Sequence, residues 1–207
     1  MNDRLSNLIT MAIPAAMLIL SAAVVQAQGR AGIGDEIVLK VRKIEGIGRR
    51  GLVQTPNYAT SIRRSTRTPG DWARIRITFD TSLPWLDEVA IEYYALLVRK
   101  EDGKNKYLLC RQSDVYVDMP RGKDHMGAVY IRPNALKRWG QVVAVAAVVQ
   151  ADGRTQAEVS DAAMEDIKKS GKWWENAKLE TKEGILLRRS ATPFAFINVD
   201  DYGVSRQ

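Results

Sequence analysis

Across Trp72–Phe79 (WARIRITF) apolar and polar side chains alternate from Ala73 onward. Ala73, Ile75, Ile77 and Phe79 fall on one face, and Arg74, Arg76 and Thr78 on the other. A period of two sustained over this length predicts a strand with one face buried. Val89–Arg99 (VAIEYYALLVR) is β-branched and aromatic and predicts a second strand. Asp102-Gly103 follows, and Tyr107–Arg111 then resumes the apolar character. Asp-Gly tolerates the positive φ angles of a tight turn, so the flanking runs are expected to pair as a hairpin. Val115–Met119 and Ala128–Ile131 are shorter strand candidates. Gln141–Gln150 (QVVAVAAVVQ) is apolar on both faces, as a central strand should be, and Asp152-Gly153 turns it into Arg154–Val159. Upstream, Glu36–Ile44 places Ile37, Leu39 and Val41 on one face.

Many short strands with turn signals and little helix predict an all-β fold, an antiparallel immunoglobulin-like β-sandwich, with a small β-barrel as the alternative closure. The inter-sheet cysteine pair of antibody domains cannot form, because Cys110 is the single cysteine. Two segments fall outside this core. Glu45–Asp71 is a long connection without a hydrophobic period. From Ser160 onward, Ser160 or Asp161 is expected to cap a short helix running to Lys169, supported by an i,i+4 pair of Glu165 and Lys169 and stopped at Gly171. Ile185–Leu187 and Phe194–Val199 read as further strands.

The N-terminus carries a different signal. Leu8 to Val25 is almost wholly apolar, is interrupted by Pro14, and is followed by small residues before Gln28. That is the layout of a secretory signal peptide, with an uncleaved membrane anchor as the alternative. The expected organisation is therefore a signal peptide at 1–27 and a sandwich at 28–160 with a basic loop at 45–71. A helix-and-strand extension at 161–207 is expected to pack on the sandwich. Export would place the mature chain in the periplasm, at the outer membrane or on the cell surface. In an oxidising compartment Cys110 either bridges to another chain or, as its apolar run Tyr107–Cys110 suggests, is a buried small hydrophobe.

The chain has a formal net charge of +7, and that excess is concentrated. Lys40 to Arg76 holds ten basic residues against only Glu45 and Asp71, and the rest of the chain is nearly neutral. Eight of the ten are arginine, the side chain that pairs bidentately with carboxylate and phosphate. Arg49, Arg50, Arg63, Arg64 and Arg67 are the anion-binding candidates, for an anionic glycan, lipid phosphate, DNA or an acidic protein face. The alternative is a solvated basic loop.

Little else points to chemistry. One histidine and one cysteine cannot supply a Cys₄, Cys₂His₂ or His₃ zinc site, nor a thiolate-held iron–sulfur cluster. His125 lies in Gly122–Gly127 and reads as an exposed loop histidine. No G-x-S-x-G elbow presents a serine to it. The doublets Asp87-Glu88 and Asp200-Asp201 would point to opposite faces of a strand, so neither makes a glycosidase pair. No calcium loop or phosphate loop occurs. Trp173-Trp174 is the one aromatic doublet that could stack on a sugar, against the commoner role of core residues. We expect no enzymatic activity, no cofactor and no small-molecule substrate. The final run, Pro193–Val199, alternates, and Phe194, Phe196 and Val199 are candidates for docking a partner by strand addition. Pairing within the same sheet is the alternative.

Three stretches carry a resemblance: Trp72–Leu97 (WARIRITFDTSLPWLDEVAIEYYALL), Val142–Asp161 (VVAVAAVVQADGRTQAEVSD) and Thr192–Gly203 (TPFAFINVDDYG). Together they resemble an immunoglobulin-like, pilus-associated protein family of verrucomicrobial type IV pilus gene clusters. The resemblance implies an exported immunoglobulin-like sandwich acting in pilus assembly or adhesion through contacts with other envelope or pilus-system proteins. It brings no catalytic residues. The apolar run lacks the early Glu of a type IV pilin leader, so an accessory protein is expected, not a pilus subunit.

Overall fold

The alternation that begins at Ala73 does not end at Phe79. The computed structural model describes residues 38–56 and 70–206, and in it the predicted strands Trp72–Phe79 and Val89–Arg99 are one, β3 (Asp71–Glu101). Its hairpin partner β4 (Lys104–Ile131) likewise absorbs the candidates at Tyr107–Arg111, Val115–Met119 and Ala128–Ile131. Asp102 and Gly103 join them at φ 52° and 76°, as the Asp-Gly signal requires. The pairing runs from Glu101↔Lys104 out to Ala73↔Ile131.

The polar stretch Asp80–Pro84, which breaks the apolar pattern, bends this hairpin. The register shifts between Phe79 and Thr81 and again between Thr81 and Trp85. Pro84, which has no N–H to donate, sits where the ladder is interrupted. On β4, Asp118 and Asp124 adopt φ 52° and 60° on either side of the bend. Such bulges sharpen twist and turn a strand from one layer into another.

Each half of the bent hairpin recruits its own neighbours. On the first half, β1 (Leu39–Glu45) and β2 (Leu52–Gln54) pair with β3, and β8 (Leu186–Arg188) with β4. On the second half, β5 (Gln141–Ala151) pairs with β3 and then with β6 (Arg154–Ala162) through an Asp152-Gly153 turn at φ 48° and 74°. There β7 (Glu180–Lys182) adds parallel to β4. The expected all-β sandwich is the fold observed, with one difference. Its two layers are hydrogen-bonded into a single nine-stranded sheet through β3 and β4.

Between the layers the predicted inward faces meet. Ile75, Ile77 and Phe79 are fully buried from the first layer, and Ile91, Tyr93, Leu97 and Val145 from the second. The layers touch closely at two glycines. A Cβ on Gly46 would lie 2.8 Å from Ile75 and 3.2 Å from Val145. A Cβ on Gly127 would lie 2.7 Å from the Tyr116 hydroxyl and closer still to that of Tyr93. The two hydroxyls are 3.3 Å apart and buried. Cys110 is free and fully buried, and burial pushes its thiol up to about 12. It is the small hydrophobe its apolar run suggested.

Several expectations are corrected. Ser160 and Asp161 cap nothing, because β6 continues to Ala162. The helix α2 (Glu165–Lys169) starts later, after Met164. Glu165 pairs with Lys168 at i,i+3, not with Lys169. Gly171 does follow the helix, at φ 69°. A helix not foreseen, α1 (Pro133–Trp139), links β4 to β5. Pro133 opens it, and Gly140 closes it at φ 96°, where a Cβ would collide with the Val98 carbonyl oxygen. In β1 the expected Leu39/Val41 face is interrupted by a bulge between Val41 and Lys43, which turns Ile44 inward. Ile37 and the segment expected to be a signal peptide lie outside the described residues.

Filling the space at Gly127 should disrupt the contact between layers. Gly127→Ala is expected to lose about 1–3 kcal/mol in urea unfolding. Tyr93→Phe should cost no more than about 1 kcal/mol, because its hydroxyl contact is long.

Candidate functional site

The Arg-rich window is divided by the fold. Arg42 reaches Asp80 at 2.5 Å. Lys43 and Arg76 converge on Glu45, each at 2.5 Å. The bond from Lys43, reinforced by Arg76, holds the Glu45 carboxyl below the usual carboxylate value. Arg42 does the same for Asp80. Arg42 and Arg76 thereby fasten β1 to β3, while the Lys43 pair lies within β1. Arg49 and Arg50 project into solvent from a single 3₁₀ turn at Gly48–Gly51. Arg63, Arg64 and Arg67 lie outside the described residues. The connection expected to be structureless is partly ordered, since β2 pairs Leu52↔Ala73 to Gln54↔Asp71.

A second basic region gathers residues far apart in the chain. Trp139, the last residue of α1, has Arg138 at 4.7 Å, Lys182 at 4.5 Å and Arg99 at 5.4 Å from its ring centroid. Cations over an indole face are attracted to its quadrupole. Charge counting along the chain missed this cluster. Its available signal was Pro133 and Gly140 bracketing a helix with Lys137 and Arg138 in its last turn.

The C-terminal segment departs most from expectation. Phe194–Val199 is not a strand but a series of tight turns, with Ala195 N–H donating to Thr192 and Ile197 N–H to Phe194. Asn198 takes φ 49°. Packing decides this. The Phe194 ring stacks on Tyr130 at 4.5 Å and meets Trp72 edge-on at 5.6 Å, and that burial fixes the chain direction. Of the three docking candidates, Phe194 is therefore committed at home, while Phe196 is 81% and Val199 48% exposed. Val204 is 69% exposed. Phe196, Val199 and Val204 border one depression of about 320 Å³, together with Asp114, Arg189 and Tyr202.

That depression is firmly held from beneath. Arg189 lies 4.2 Å over the Tyr202 ring and donates to the Ile197 carbonyl at 2.6 Å. The last strand, β9 (Val204–Ser205), pairs with Tyr116 and Val117. The Ser205 hydroxyl donates to Asp114, the Arg206 N–H donates to Val115 at 2.7 Å, and Arg206 pairs with Glu88 at 2.9 Å. Asp114 is almost wholly buried. Burial raises its carboxyl above the ordinary value, although bonds from Ser205 and Tyr116 and the charge of Arg188 pull the other way.

Other candidates are placed elsewhere. His125 is part of β4 and half-buried, not in an exposed loop. Its Nε2 is 3.1 Å from the Thr81 hydroxyl and its ring lies beside Phe79. Trp173 and Trp174 are buried edge-to-face against Leu96, Leu109 and Val143, so they present no sugar platform. Among the described residues no group of acidic, His and Cys side chains could hold a metal ion. No described helix is long and apolar enough to cross a membrane.

A protein-family model matches residues 41–207, and the chain belongs to that family. The fold is also found in a crystal structure of a protein from Akkermansia muciniphila. The two superpose with a TM-score of 0.67 at 23% identity, covering 82% of this chain and 93% of the other. No curated protein matches this chain.

Two measurements check the C-terminal segment. Phe194→Ala should cost about 2–4 kcal/mol of stability, while Phe196→Ala should stay within about 0.5 kcal/mol. Because the folded Asp114 value lies above the unfolded one, its contribution is complete below the unfolded carboxylate value and is lost as pH rises through the folded value. Amide exchange at Ser205 and Arg206, corrected for intrinsic rate, should therefore show weaker protection near pH ~7 than near pH ~4. Asp114→Asn should remove that dependence.

Proposed function

We propose that the protein is an exported, non-enzymatic envelope component that acts in a pilus-type assembly or in adhesion through protein–protein contacts. The observation that carries this reading is the depression bordered by Phe196, Val199 and Val204. Three large apolar side chains are left in solvent on a segment that Phe194, Arg189 and Asp114 hold rigidly. Clustered exposed apolar residues on an ordered frame are the usual core of a contact surface. The apolar N-terminal segment ending in small residues supports export. The resemblance to pilus-associated proteins supports the kind of assembly, and the fold shared with a protein from Akkermansia muciniphila agrees with the sandwich that the resemblance implies.

Cross-linking in native envelope, followed by identification of what is bound, tests the reading. Phe196→Asp combined with Val204→Asp should abolish recovery of the partner and leave the melting temperature unchanged. Equal recovery with the double variant would remove the depression as the contact surface.

A second reading is a binder of anionic envelope glycan, lipid phosphate or DNA. The three cations around Trp139, with Arg49 and Arg50 exposed, favour it. Such binding should weaken steeply with added salt. Contact through the apolar depression should hardly change.

A further inference from the structure

At the end of the sandwich opposite the bend, the described residues leave an opening. A cleft of about 1100 Å³, lined by residues of both layers and of α1, lies there. That is just above the range for small-ligand sites, roughly 300–1,000 Å³. Leu52 and Ala73 line it from the first layer, and Val98, Val142 and Val143 from the second, with Leu136 of α1 beside them. Four lining residues, Gly46, Gly48, Gly70 and Gly140, contribute no side chain to fill it. Gly46, Gly70 and Gly140 cannot be replaced by anything larger without meeting Ile75, Pro133 or the Val98 carbonyl.

The rim is mainly basic. Arg49, Lys100 and Lys137 line the cleft and are exposed, and among the described residues Asp71 is the only acid that lines it. Arg99 also lines it but is occupied, donating to the Arg138 carbonyl and to Glu101. An apolar floor under a basic rim complements a ligand with a hydrocarbon body and one anionic end. The backbone narrows the class further. The strands in the wall are already paired, Leu97↔Val142 and Val98↔Gln141, and the Ala163 N–H donates to the Val143 carbonyl. An extended peptide inserted here would leave its own amides without partners in an apolar space, a costly arrangement. A hydrocarbon chain has no such requirement.

We propose that this cleft binds a long-chain anionic amphiphile, with its chain along the apolar wall of the cleft and its carboxylate or phosphate head at Arg49, Lys100 and Lys137. The cleft shares no residue with the depression at Phe196, so the proposal stands or falls apart from the contact function.

The test uses the fluorescent fatty acid cis-parinarate on the full mature chain, with competitors kept below their aggregation concentrations. Hexadecanoate and hexadecyl phosphate, the two sources of such a head, should each displace it about tenfold better than hexadecan-1-ol. If only one of them does, that source is the ligand. Lys137→Glu with Arg49→Glu should weaken hexadecanoate about tenfold and leave the alcohol unchanged. Ala163→Trp, at an exposed position on the mouth, should block parinarate without lowering the melting temperature. Equal competition by the alcohol, or unchanged binding in Ala163→Trp, would overturn the proposal. Displacement by polyglutamate but not by hexadecanoate would also overturn it, making the cleft a site for an acidic protein.

Discussion

Everything in this fold hangs on the long β3–β4 hairpin, whose pairing resumes on both sides of a bend. A sandwich normally needs connections that carry the chain from one sheet to the other. Here two strands cross between layers together, so each layer inherits a paired two-stranded centre and must add only edges. β1, β2 and β8 complete one, and β5, β6 and β7 the other. The bend therefore fixes the angle at which Ile75 and Phe79 face Ile91 and Leu97. It also fixes the open end where the layers diverge. The cost of the bend is local: two register shifts and two aspartates at positive φ. Aspartate is among the residues that tolerate that conformation best.

Polar groups inside the sandwich follow the same economy. The buried hydroxyls of Tyr93 and Tyr116 meet each other beneath Gly127, and Asp114 is answered by Ser205, the Val115 N–H and Arg188. These buried oxygens thus sit where another segment arrives to satisfy them. Asp114 in particular makes the chain's last residues part of the core's hydrogen-bonding inventory. This explains how a segment with almost no regular structure can present Phe196 and Val204 in a fixed place. Likewise Glu45 and Asp80 hold cations that a linear count would assign to a free basic loop.

The sequence was most readable where local chemistry decides the outcome. The two Asp-Gly turns, the inward faces of Trp72–Phe79 and Gln141–Gln150, and the buried state of Cys110 all follow from short-range pattern and burial preference. It was least readable where a distant partner decides. Asp80–Pro84 has the composition of a loop, and only pairing with β4 across a bulge makes it a bend within a strand. Phe194–Val199 alternates like a strand, but Tyr130 and Trp72 capture Phe194 and turn the chain. Helix α1 is too short for a hydrophobic period to register. The grouping of Arg49, Lys100 and Lys137 around one cleft, and of Arg99, Arg138 and Lys182 around Trp139, depends on folding alone.

The long hairpin has a consequence for how the chain reaches this state. Loop-closure entropy grows with the length of chain enclosed, and in β3–β4 that length increases steadily from the Asp102-Gly103 turn outward. Each pair formed shortens the search for the next, so a nominally non-local β-topology can assemble by zippering from a single local seed. The order of events is then spatial as well as temporal: the second layer's centre forms first, the bend next, and the first layer after it. Phe194, which packs on Tyr130 and Trp72 of the first layer, can dock only once that layer is in place. The surface that carries Phe196 is therefore absent from every earlier species, and a partner that recognises it would meet only finished molecules.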